Sequence, residues 1–412
     1  MSDDSNLGSD SFTETTTTSW FSRLGQSIKG VLFGIVLIAG STFLLFWNEG
    51  RAVQTARSLD EGAGLVITVE PVKIEPGNEG KLIHVSGDIK AGAALRDAEF
   101  GVTAEGLRLV RTVEMYQWKE ETRTETRKNL GGSEETITTY TYQRVWSDTR
   151  QDSSRFRRPE GHNNPEMRYH RAAVVARDAT LGAFRPGERV LQQLPADREV
   201  RVTPAVADGL RGRVGGPAQA IDGKLYLGAN PNEPRVGDLR VSFMIAPVGP
   251  ASVIGRQTGT DFTEYQTKAG DRLLMARPGT RSAAEMFKAA QDENRVLTWA
   301  LRAVGALAMF IGFLLILNPL VVVADFVPLI GSILGAGAAL VALVLTAALA
   351  PLIVAVAWLW YRPIVSLIAI AAGIAVAYGF KTLASRRAAA RRQVPAPAHT
   401  SGHVGRMSGG TR

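Results

Sequence analysis

The sequence predicts an integral membrane α-helical protein with four transmembrane helices, one before and three after a large β-rich (α+β) extramembrane domain. Three observations carry that prediction. Four stretches contain no charged residue, at 30–48, 303–324, 326–361 and 363–380. A helix rises 1.5 Å per residue, so roughly 20 apolar residues cross a hydrocarbon core about 30 Å thick. Between the first two stretches lies a polar region built of short alternating apolar runs. The basic surplus then collects just after the last stretch, in KTLASRRAAARRQ, as expected for charge retained on the cytoplasmic side.

Residues 1–29 contain MSDDSNLGSDSFTETTTTS, a polar stretch expected to be a disordered cytoplasmic tail. Residues 30–48 form the first crossing. The run is longer than a signal-peptide core, and WNEGRA after it lacks a small-x-small cleavage pattern, so it reads as an uncleaved signal anchor. Residues 49–298 form the outward domain, periplasmic or lumenal. Within it GLVITVE, KLIHVSGDI, LRLVRTVEMYQW, TITTYTYQRVW, REVRVTP, GKLYLG, GDLRVSFMIA, ASVIGRQ and DRLLMARPG read as strands. In RTVEMYQW, Val113, Met115 and Gln117 alternate with Glu114, Tyr116 and Trp118, a strand with one face inward. Residues 119–139 form a charged hairpin turning at Gly131-Gly132.

SAAEMFKAAQDENRVLTW is a helix, with Ser282 and Glu285 spaced as a capping box. It runs into the second crossing, 299–322. Residues 323–360 are read as a short linker, amphipathic or re-entrant, followed by the third crossing, with Pro328 at its start and Pro351 at a kink or end. Residues 363–380 form the fourth crossing, and residues 381–412 a basic, disordered cytoplasmic tail. Trp20, Trp47, Trp299, Trp358, Trp360 and Tyr361 lie near the ends of these runs, where aromatic rings prefer the headgroup boundary. Four crossings place both termini in the cytoplasm and Asp325 on a cytoplasmic turn.

The chain has 412 residues and a formal charge of +8, with a mean hydropathy of +0.01. By segment the charge is −2 over residues 1–48, +3 over 49–302 and +7 over 303–412. The basic excess is therefore a topology signal rather than a nucleic-acid stripe, and no nucleic-acid partner is expected. There is no cysteine, which removes disulfides, thiolate nucleophiles and Cys-ligated metals. The five histidines make no metalloprotease motif, and neither a Gly-x-Ser-x-Gly elbow nor a Walker loop is present. His84 is expected to be structural, and His162 to sit in an Asn/Pro turn. No catalytic residue, cofactor or metal is expected.

The candidate site residues are of two kinds. Lys381, Arg386, Arg387, Arg391 and Arg392 could contact anionic lipid headgroups, each worth about 1 kcal/mol, or could only set topology. Asn48, Glu49, Arg51 and Arg302, with Arg295, lie at the outward boundary and read as interface anchors. Asn48-Glu49-Gly50-Arg51 could equally cap the first helix and turn the chain into the domain. Gly30-x-x-x-Gly34 and Gly331-x-x-x-Gly335 permit close helix approach, and with it a homo-oligomer.

FWNEGRAVQTA, PGNEGKLIHVSGDI, VEMYQW, GHNNPEM, VGDLRVSF, TKAGDRLLM, TWALRAVGALAMF and YRPIV occur in that order. In them the chain resembles the transmembrane protein 43 (LUMA) family over roughly residues 20–382. The resemblance implies four membrane segments around a large lumenal domain. It implies residence in the endoplasmic reticulum and inner nuclear membrane in animals, and a part in organising membrane complexes, with a suggested tie to lipid domains. It brings no catalytic residue. Alanine and arginine usage suggests a bacterial member, for which the membrane would be the inner one. Function is therefore expected to be non-enzymatic: a scaffold or organiser partnered by membrane lipids, other membrane proteins and copies of itself. The alternative is an enzyme or sensor acting on lipid or envelope material, with its site at the outward interface.

Overall fold

The computed structural model describes residues 10–364 together with 366–368, 371 and 381. Two compact units divide the chain, Met1–Ile353 and Val354–Arg412. Three helices in it are long and apolar enough to cross a membrane: α1 (Trp20–Leu65), α4 (Ala283–Ala324) and α5 (Pro328–Tyr361). Two short ones, α2 (Glu188–Leu191) and α3 (Pro204–Leu210), lie in the β-rich region.

α1 starts where Ser19 accepts a hydrogen bond from the Ser22 amide, satisfying one of the free N–H groups of the first turn. It then runs 46 residues, about 69 Å at helical rise. α4 starts at the predicted capping box, with the Ser282 side chain on the Glu285 amide and the Glu285 side chain on the Ser282 amide. It continues without a break through Pro319 to Ala324. The two helices are antiparallel. Gly62 packs on Phe287, Leu45 on Gly305 and Gly34 on Gly312, and the Trp20 indole donates to the Val322 carbonyl over 2.8 Å.

The β-rich region holds two larger sheets. In the first, β1 (Asp10–Thr18), β7 (Glu134–Ser147), β6 (Arg108–Lys128), β13 (Leu239–Ala246), β12 (Lys224–Leu227) and β11 (Ala218–Ile221) follow one another; β8 (Ala172–Val175) joins β6 and β10 (Arg198–Val200) joins β13. In the second, β15 (Asp261–Thr263), β14 (Gly249–Thr258), β3 (Leu82–Lys90) and β2 (Ile67–Thr68) follow one another; β18 (Met275–Pro278) joins β14 and β9 (Thr180–Leu181) joins β3. β4 (Leu95–Arg96) with β5 (Thr103–Ala104), and β16 (Tyr265–Gln266) with β17 (Arg272–Leu273), are small pairs. Val113, Met115, Val241 and Phe243 of the first sheet and Val85, Ile89 and Val253 of the second share one core. A second cluster, Leu59, Leu82, Ile254, Leu273, Met286 and Phe287, seats the region on α1 and α4.

β6 and β7 extend well beyond that core as the expected charged hairpin, with Gly131 and Gly132 at φ +86° and +77° in the turn. β1 adds a third strand, pairing with β7 from Asp10↔Tyr142 to Thr18↔Glu134. The result is a three-stranded ribbon.

Three expectations need correction, and a fourth lies largely outside the described residues. Residues 1–29 are not a disordered tail over their described part, because 10–18 are strand β1 and Trp20 onward is helix. Its Thr-rich alternation suits a strand once β7 offers an edge. Asn48–Arg51 neither cap nor turn the first helix, which runs on to Leu65, so the strands that follow it begin after 65 rather than at 49, while β1 precedes the helix. Residues 323–360 hold no separate linker element or re-entrant piece. A three-residue turn joins α4 to the single helix α5, with Pro328 at its start and Pro351 inside it. A fourth crossing over 363–380 is not supported; those residues fall largely outside the described ones, as does most of 381–412.

Close packing sets the α1/α4 distance. A Cβ on Gly34 would lie 2.7 Å from the Gly312 carbonyl oxygen and 3.1 Å from two α4 side chains. Gly34→Leu is expected to push the helices apart at a cost of about 1–3 kcal/mol, read as a lower unfolding temperature in detergent. Gly25→Leu, with open space around its Cβ, is the control.

His84 is buried, donates from Nε2 to the Arg281 carbonyl at 2.9 Å, and has Nδ1 3.3 Å from the Thr68 hydroxyl. Burial lowers its pKa and the Arg281 carbonyl opposes that only in part. The unfolded chain therefore binds this proton more readily, so the stability held above the ordinary histidine pKa of about 6.5 falls as pH drops through it. Unfolding temperatures of wild type and His84→Gln should converge as pH is lowered from 7.5 to 5.5; an unchanged gap would discount the effect.

Candidate functional site: a polar ladder in an apolar helix pair

Asn294, Thr298 and Arg302 recur every fourth residue on α4, and so lie on one face. Asn48, Glu49 and Ala52 meet them from α1. Arg302 binds Glu49 through two parallel hydrogen bonds, Nε to Oε1 at 2.6 Å and Nη2 to Oε2 at 2.8 Å, and lies 4.6 Å from the Trp299 ring centre. The Glu49 side chain is 3% exposed. Asn48 donates to the Thr298 carbonyl at 3.0 Å, and Asn294 to the Ala52 carbonyl at 3.0 Å. Arg51 reaches across to the Asn294 and Thr298 side chains at 2.9 and 3.0 Å. The expected interface residues Asn48, Glu49, Arg51 and Arg302 are thus brought together, bonded to one another and to Asn294 and Thr298. Arg295 is not among them: it is exposed and pairs with Asp292.

A second polar cluster closes the other end of the pair. Asp325, between α4 and α5, is fully buried, bound by Arg23 of α1 at 2.5 Å and by Lys128 of the ribbon at 2.8 Å. Arg23 also binds Glu134 at 3.1 Å and the Gly132 carbonyl at 2.7 Å, while the Gly131 amide donates to the Phe326 carbonyl at 3.2 Å. Sequence reasoning missed this cluster. Its signal was present: Asp325 is the only acid after residue 302, and a lone charge between apolar runs calls for a partner.

The remaining candidates lie apart. His84 has Thr68, Ser86 and Arg281 as partners, none from the ladder. His162 is buried, stacked 3.9 Å from Tyr142 and bonded at 2.9 Å to Asp10, which fastens the free end of β1. Tyr142 donates to Glu120 at 2.7 Å, and burial, with that bond, pushes its pKa up to about 12. Lys381 is exposed, and Arg386, Arg387, Arg391 and Arg392 lie outside the described residues. Two clefts of about 520 and 570 Å³ open in the β-rich region, one beside Arg189, Arg256 and Arg272, the other beside Arg177, Arg185 and Asp261. Neither is lined by a ladder residue. Among the described residues no group of three or more His, Asp or Glu is placed to hold a metal ion.

Chemically the ladder holds and orients. Both Glu49 oxygens are engaged, and removing one member of a buried pair leaves the other uncompensated. Glu49→Ala is expected to destabilise by about 3–5 kcal/mol, whereas Glu49→Leu with Arg302→Met should come close to wild type. Thermal unfolding in detergent separates the two; a Glu49→Ala protein as stable as wild type would remove the structural role.

A family model described as Transmembrane protein 43 matches residues 115–363. The chain is 34% identical to mouse transmembrane protein 43 over 358 residues, covering 83% of this chain and 87% of that protein. It is 33% identical to the human protein over 84% of this chain and 88% of that one. The Drosophila melanogaster homolog is 31% identical over 83% and 91%. No solved structure matches.

Proposed function

Since the chain belongs to the transmembrane protein 43 family, we propose that it is a non-enzymatic membrane protein that organises membrane protein complexes or lipid domains. The observation that carries this reading is where the polar groups go. Asn48, Glu49, Arg51 and Arg302 are spent on one another and on Asn294 and Thr298, and outward positions of the same helices are apolar, as at Leu32, Phe33, Val36, Phe43, Leu307 and Ile311. A helix surface of that kind is suited to lipid and to other membrane helices. The β-rich region supplies a folded surface for proteins, seated rigidly on α1 and α4 through Leu59, Leu273 and Phe287.

The partners in this reading are membrane lipids, further copies of the chain and other membrane proteins. The basic residues Lys381 to Arg392 favour anionic headgroups. Residue usage supports a bacterial source, and then the inner membrane as its location. An enzyme or sensor at the outward interface would need Glu49 or Arg302 available to a substrate, and their mutual bonds favour the organiser.

Detergent-free extraction into polymer-bounded discs, followed by size analysis and mass spectrometry, tests the proposal. The expected result is an assembly larger than one chain, or one enriched in particular lipids or membrane proteins. A strictly monomeric particle with bulk lipid composition and no companion protein would overturn it.

A further inference from the structure

By length and composition α1 and α4 could each cross a bilayer, yet the ribbon sets a condition on them. Its root is in the β-rich region, which sits at one end of the helix pair, where Ser58 bonds Thr267 at 2.9 Å and Gly62 packs on Phe287. Its tip is bonded to the opposite end, where Arg23 and Lys128 share Asp325 and Gly131 donates to Phe326. If α1 and α4 crossed the bilayer between those ends, the ribbon would have to cross beside them.

The ribbon cannot do so. From Lys119 to Lys128 it spans about 30 Å at strand rise, the thickness of the hydrocarbon core. Over that length it carries Glu120, Glu121, Arg123, Glu125, Arg127 and Glu135, with Arg123 82% exposed. Its edges are open as well: the outer edge of β1, and that of β6 beyond Trp118, pair with no described strand. In hydrocarbon every backbone group must be paired, which leaves only helices and closed barrels as spanning forms. A charged three-stranded ribbon with two open edges stays in water.

We infer that α1 and α4 do not carry the chain across the membrane: they form an antiparallel hairpin embedded from one side, with the β-rich region, strand β1 and the Asp325 turn all on that side. The partner of the hairpin's outward apolar face is the surface of a lipid bilayer, into which such a face sinks while polar elements remain in water. α5, uncharged from Pro328 to Tyr361, is then the first segment free to cross. This rests on the membrane assignment and is independent of the organiser proposal, so either can fail alone. It also moves the N-terminal strand from the side opposite the β-rich region to the same side.

The cysteine-free sequence makes the test direct. Leu130→Cys at the exposed ribbon tip, Asp208→Cys on the β-rich region and Thr122→Cys midway along the ribbon each introduce one thiol. Each variant of the full chain is expressed, and sealed vesicles of uniform orientation are treated with a membrane-impermeant maleimide, with and without permeabilisation. All three thiols are expected to label to the same extent and under the same condition. Labelling of Leu130→Cys and Asp208→Cys under opposite conditions would overturn the inference. So would protection of Thr122→Cys in intact and permeabilised vesicles alike while the other two react, because the ribbon would then lie in lipid.

Discussion

Two helices of 46 and 42 residues, free of charge over 30–48 and 303–324, gain no register there from lipid, which meets every apolar side chain alike. What fixes α1 against α4 is the chemistry between them. Gly34 and Gly312 bring the backbones together midway, Leu45 fills the space left by Gly305, and polar pairs stand on either side. A slip by one helical turn would place Glu49 opposite Thr298 or Ala306 in place of Arg302 and take Arg23 from Asp325. Small residues therefore set the distance and buried charges set the register, and the rest of the structure hangs on both.

Buried ion pairs contribute little net stability when made and much instability when broken. That asymmetry suits a register device, since it penalises alternatives more than it rewards the native arrangement. The Glu49–Arg302 pair is two-pronged and flanked by Trp299, a geometry available to arginine and not to lysine. Asp325 is surrounded by two cations, and Glu134 balances the second charge through Arg23. One ladder group departs from this economy: the Arg51 Nε is buried without a hydrogen-bond partner.

The elements legible in the sequence were those governed by local rules. Runs without charge marked the long helices, Ser282 and Glu285 announced the start of α4, and Gly131-Gly132 announced the hairpin turn. Alternation in RTVEMYQW correctly buried Val113, Met115 and Gln117, the last bonded to the Gln151 amide and the Thr149 carbonyl. What was not legible depends on partners distant in the chain. DSFTETTTT has the composition of a solvated tail, and only the exposed edge of β7, over a hundred residues on, makes it a strand. Glu49 and Arg51 resemble a helix end because charge usually marks a membrane boundary, yet each has its partners on α4 and the helix runs on. The candidate site was found residue by residue, but its character was not, because a sequence gives no sign that two charges 253 positions apart will meet.

The join between the β-rich region and α4 determines what that region can do to the membrane part. Ser282 and Glu285 fix the first turn of α4, while the preceding carbonyl, that of Arg281, is held by His84 from within β3. Met286 and Phe287, one turn further, are buried against Leu82, Ile254 and Leu273. No flexible connection lies between this anchorage and the apolar run, since α4 continues unbroken to Ala324. A force on the β-rich region is therefore delivered to the helix as tilt or rotation rather than absorbed in a linker. The ribbon, tied to the same pair at its far end through Asp325, opposes that motion. A binding event on the β-rich surface can then reorient the lipid-facing side of the pair only if the ribbon bends with it or its tip lets go.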